Sequence, residues 1–98
     1  MITRFKNKLR LSGLEDHLQQ QLQIPRTTSA WLARMAYDVA QQNGHALLKT
    51  PMDVMTNAVF WQLERGGYAD LLDNLAEEHY MVKAEIQRYR QGRGQLAA

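Results

Sequence analysis

The sequence predicts a mainly all-α chain of about four helices, preceded by one short element over residues 4–11. Apolar residues recur three and four places apart from Leu14 onward, the spacing of a single helix face. Helix stops and starts punctuate that pattern at Pro25, Asn43-Gly44, Thr50-Pro51 and Gly66-Gly67. They divide it into helices over about 13–23, 28–43, 50–65 and 69–91. Before them, Arg4, Lys6, Lys8 and Arg10 alternate with Phe5, Asn7, Leu9 and Leu11, the period of a half-buried strand. Residues 4–11 therefore read as a short strand, an ordered arm or the start of a helix.

Ser12 offers an N-cap with Glu15 three residues on, the pattern of a capping box. Leu14, Leu18 and Leu22 follow on one face until Pro25 ends the helix, because the residue before a proline avoids the α region. Thr27 or Thr28 caps the second helix. Trp31, Leu32, Met35, Ala36 and Val39 form its apolar stripe, and Gly44 suits a left-handed C-terminal residue. Thr50-Pro51 reopens a helix, with proline in its first turn. Met52, Met55, Val59 and Leu63 lie along one side of it, and Val54, Ala58 and Trp61 along another. A helix apolar on two sides belongs in the centre of a core. Beyond Gly66-Gly67, Leu72, Leu75, His79, Val82, Ile86 and Tyr89 are spaced 3-4-3-4-3, an a/d seam for association with a second helix.

Ninety-eight residues make a single domain with a marginal core, which oligomerisation would enlarge. Residues 1–43 would form a DNA-contacting half, 50–91 an association half, and 92–98 a frayed tail. Charge is unevenly spread. Residues 1–10 carry +4, residues 50–82 carry −5 and residues 83–98 carry +3. A basic end of this kind suits a polyanionic partner.

The chain has no Cys, which excludes disulfides, thiol catalysis and cysteine-based zinc sites. Residues 1–10 lack the apolar run of a signal peptide. No apolar run, Ala58 to Trp61 included, is long enough to cross a bilayer. The expectation is a soluble cytoplasmic protein with no membrane attachment. His17, His45 and His79 share no metal-binding spacing, although a histidine on the seam would suit a register or pH role. Asp70, Asp73, Glu77 and Glu78 read as a solvated face. No phosphate loop or nucleophile motif occurs, so the expectation is a non-enzyme with no cofactor or metal.

Lys6-Asn7-Lys8-Leu9-Arg10-Leu11, then a helix of about eleven residues, a short turn and a Thr-capped helix, resemble the ribbon–helix–helix DNA-binding family over Arg4 to Val39. The resemblance implies a dimer whose paired strands enter the major groove, with Lys6, Lys8 and Arg10 toward base edges. It also implies a phosphate held near Arg26, Thr27 and Thr28. Long cationic donors reach groove acceptors, and a helix N-terminus presents free N–H groups. Leu18 to Thr28 also looks like a Fis-like helix-turn-helix, with Gln23 standing where glycine is common in the turn. There the second helix would read the groove, with Arg26 and Thr28 again at the DNA.

These readings converge on a small DNA-binding protein of bacterial type acting on double-stranded DNA as a homodimer or higher homo-oligomer. It would serve as a transcriptional regulator or an accessory DNA-processing factor of a mobile element. Its oligomer contact would be Leu72, Leu75, His79, Val82, Ile86 and Tyr89. The alternative is a protein-binding adaptor or inhibitor that uses the same seam, the acidic face of the last helix, Trp61 and the methionines.

Overall fold

A computed structural model describes the backbone of residues 2–97 and the side chains of residues 8–92. Among the described residues five α-helices occur in the order α1 (Ile2–Leu22), α2 (Arg26–Gln42), α3 (Met55–Arg65), α4 (Ala69–Glu78) and α5 (Tyr80–Ala97). Two short 3-10 turns, Leu47–Lys49 and Met52–Val54, lie between α2 and α3. The all-α expectation holds, and no strand occurs among the described residues.

The expected strand or arm at 4–11 is instead the start of α1. Lysine, arginine and leucine are good helix formers. A strand would also need a neighbour to take its backbone hydrogen bonds, whereas a helix supplies its own. Ser12 and Gly13 consequently lie inside the helix, and the expected capping box is absent. Leu11, Leu14, Leu18 and Leu22 form the buried stripe of α1.

α1 ends at Gln23, whose φ of 53° is left-handed. Its side-chain Nε2 donates to the Gln20 carbonyl at 2.8 Å. A non-glycine residue in this conformation costs about 1–2 kcal/mol, against about 0.5–1 kcal/mol of chain entropy that glycine forfeits on folding. Gln23→Gly should therefore stabilise the chain by roughly 0.5 kcal/mol, read as an upward shift in the urea midpoint. A midpoint that falls would show that the Gln20 bond outweighs the backbone term.

α2 begins at Arg26, ahead of the expected cap at Thr27 or Thr28, and Pro25 occupies the N-cap position. The Ser29 amide donates to the Pro25 carbonyl at 3.0 Å. Ser29 is wholly buried, and its hydroxyl is satisfied by the Arg26 carbonyl at 2.9 Å. Ser29, Ala33, Ala36 and Ala40 give α2 a buried face of small residues. The expected helix over 50–65 is shorter, because Pro51 precedes a 3-10 turn and regular α geometry starts at Met55. Met55, Val59, Phe60 and Leu63 point α3 into the core.

The expected single helix over 69–91 is two helices. His79 adopts an extended conformation, φ −129° and ψ 114°. Its amide closes α4 on the Leu75 carbonyl at 2.9 Å, and its carbonyl accepts from Lys83 N at 3.1 Å. The chain folds back there. Arg90 of α5 pairs with Asp73 of α4 at 2.9 Å and with Glu64 of α3 at 3.5 Å. In one straight helix residues 73 and 90 would stand about 25 Å apart. Leu72, Leu75, Val82, Ile86 and Tyr89 are all buried in the core of a single chain, and His79 is half-buried at the corner. The 3-4 spacing is that of two helices closing on each other, so the seam is already covered within the chain.

α1 packs on α2, α2 on α3 and α4 on α5, and α5 returns to touch α1 and α3.

Candidate nucleic-acid interface

Lys8 and Arg10 leave the first half of α1 into solvent. Neither forms an ion pair among the described residues. At about 100° per residue they point to different sides of the helix, unlike the single basic face that a strand would give. The side chain of Lys6 lies outside the described residues.

Arg10 lines a concavity of about 240 Å3 where α1, the end of α2 and the first 3-10 turn meet. Tyr37, Gln41, His45 and Lys49 complete its polar wall, and no carboxylate lines it. The Gln41 amide donates to the Tyr37 hydroxyl at 2.8 Å, fixing one wall. His45 is fixed by two contacts: its Nδ1 lies 3.0 Å from Gln62 Nε2, and its ring packs on Trp61 with centroids 5.3 Å apart. Gln62 Oε1 is buried with no hydrogen-bond partner among the described residues. The concavity thus collects two cations and several neutral donors with no competing acid, an arrangement suited to phosphate oxygens.

The second expected contact, at Arg26, Thr27 and Thr28, has different surroundings. Arg26 reaches back to α1, where its guanidinium donates to Asp16 and to Glu15 Oε2 at 3.2 Å. The hydrogen bond to Asp16 is the main cause holding its pKa above the ordinary value. Thr27 is exposed and Thr28 half-buried in the first turn of α2. A phosphate approaching this helix end would meet the carboxylates of Glu15 and Asp16 and a guanidinium already paired. Arg26 thus ties α1 to α2 and stands apart from the basic concavity.

Sequence reasoning passed over Tyr37, Gln41, His45 and Lys49. Their signal was slight: one lysine and one histidine in a short link between helices. His17 makes a separate contact, its Nε2 lying 3.1 Å from Thr56 Oγ1, and burial lowers its pKa. Among the described residues no cluster of His, Asp and Glu is arranged to hold a metal ion, and no helix is long and apolar enough to cross a membrane. No protein-family model, curated protein or solved structure matches the chain.

Proposed function

We propose that this chain is a non-enzymatic nucleic-acid-binding protein that engages the phosphate backbone of double-stranded DNA through Lys8, Arg10 and Lys49. The observation that carries the reading is the acid-free concavity joining Arg10 to Lys49 and His45. The exposed acids Asp70, Glu77 and Glu78 belong to α4, away from that wall. The same chemistry suits a cytoplasmic transcriptional regulator or an accessory factor in DNA processing.

Phosphate contacts release counterions, so affinity falls as salt rises, by roughly 0.9 in the logarithmic slope per contact. Fluorescence anisotropy of a labelled duplex, at low and then moderate salt, tests the reading. The Arg10→Ala/Lys49→Ala double variant should bind at least about tenfold more weakly, with a salt slope smaller by roughly two. Its circular dichroism should match that of the wild type, because both side chains are exposed. Absence of wild-type binding at low salt, or a double variant that binds as the wild type does, would sink the reading.

A further inference from the structure

Two surfaces that carry neither Arg10 nor Lys49 complement each other in charge. The first is a hollow of about 450 Å3 between α3 and α5, walled by Val54, Ala58, Trp61 and Tyr89, with no carboxylate in its lining. Val54 is 45% and Trp61 39% exposed, so the patch is apolar and uncovered. Its rim is cationic. Arg88 borders it, and the Arg65 guanidinium lies 4.8 Å above the Trp61 ring. Arg88 has one intrachain partner, Glu85 at 3.2 Å.

The second surface surrounds Tyr80, 81% exposed at the corner where α4 meets α5. Glu77 and Glu78 stand beside it, exposed and in no ion pair among the described residues. Lys83 is the neighbouring cation, and Arg90 is already engaged by Asp73 and Glu64.

We infer that the Tyr80 corner of one copy of this chain docks into the Val54–Trp61 hollow of another. The Tyr80 ring enters the apolar floor while Glu77 and Glu78 face Arg88 and Arg65. A tyrosine suits such a contact, because its ring carries a large apolar area at low entropy cost and its hydroxyl stays at the wet rim. The hollow opens where Arg88 and Gly92 line α5, whereas Tyr80 shares the other side with Lys83, Gln87 and Arg90. The two surfaces therefore cannot meet within one chain. A single such contact between two copies leaves a Tyr80 corner free on one and a hollow free on the other. The inference is independent of nucleic-acid binding, since Lys8, Arg10 and Lys49 belong to neither surface.

Analytical ultracentrifugation over a concentration series at low salt tests it. The wild type should exceed the mass of one chain as concentration rises. Tyr80→Ala removes the inserted ring and Arg88→Glu reverses the rim. Each alone should weaken association roughly tenfold or more and sediment as a single chain where the wild type associates. Mixed in equal amounts they should form a complex of two chains and no more, because one intact hollow then meets one intact Tyr80. Val54→Asp, at an exposed position, serves as a second hollow variant should Arg88→Glu fail to fold. A wild type that stays at the mass of one chain, a single variant that associates like the wild type, or a mixture that does not combine would each overturn the inference.

Discussion

Phe60→Ala will lower the stability of the chain by about 3–5 kcal/mol, the cost of emptying a large buried aromatic site. Phe60 is only 1% exposed and lies in the middle of α3. Its ring meets Tyr89 of α5 edge-on, with centroids 5.8 Å apart and planes at 63°. That geometry adds to the area it buries. Tyr89 in turn donates its hydroxyl to Glu64 Oε1 at 3.0 Å, so the same truncation loosens the docking of α5. A domain of this size has about 5–15 kcal/mol in total. The variant should therefore melt far below the wild type and leave a visible unfolded fraction at growth temperature. Chemical denaturation followed by circular dichroism measures this. A loss under about 1 kcal/mol would mean that the site collapses around the missing ring and that α3 is not the centre of the core.

Gly66→Ala should cost about 1–3 kcal/mol, for overpacking rather than for backbone strain. Gly66 has φ −77°, open to any residue, but a Cβ there would stand 2.6 Å from Cγ2 of Val39 and 3.2 Å from the Tyr68 ring. Val39 is 6% exposed on α2, and its branched side chain has few rotamers to retreat into. The two positions should therefore be coupled. In a Val39→Ala background the same glycine substitution should cost little, giving an interaction energy of about 1 kcal/mol or more in a double-mutant cycle. Additive losses would show that the obstacle is Tyr68. Gly67, beside it, is the residue that needs glycine for its backbone, at φ +89°.

The fold was legible wherever a stripe of apolar residues met a strong breaker. Leu14, Leu18 and Leu22 before Pro25, and Leu32, Ala36 and Val39 before Gly44, mark α1 and α2 in the sequence as they do in the structure. Two features were not legible, for different reasons. The alternation from Arg4 to Leu11 is too short to separate a strand from a helix. What decides it is the lack of any partner strand, which no local window shows. The break at His79 carries neither proline nor glycine. The folded-back arrangement is held by contacts distant in sequence, Arg90 with Asp73 of α4 and Tyr89 against Phe60 of α3, which no local window shows.

The candidate site divides in the same way. Lys8 and Arg10 announce themselves by charge. Lys49, His45 and Tyr37 join them only because the end of α2 and the turn after it lie beside α1. Arg26 looked free in the sequence because Glu15 and Asp16 stand ten or more residues away. The hairpin between α1 and α2 brings them into contact.

The order in which the helices touch also sets how the chain can find its shape. α1 meets α2, α2 meets α3 and α4 meets α5, so most of the interior joins segments adjacent in the chain. The contacts of α1 with α3, and of α5 with α1 and α3, are closures between distant parts. Local topologies of this kind cross their barrier in microseconds to milliseconds, and closing the long loop is the costly event in it. Two helical hairpins should form early, with α5 docking across them at the rate-limiting step. Temperature-jump relaxation should then show a refolding rate more sensitive to truncation of Ile86 than to truncation of Leu47, whose 3-10 turn packs on α1 and α2.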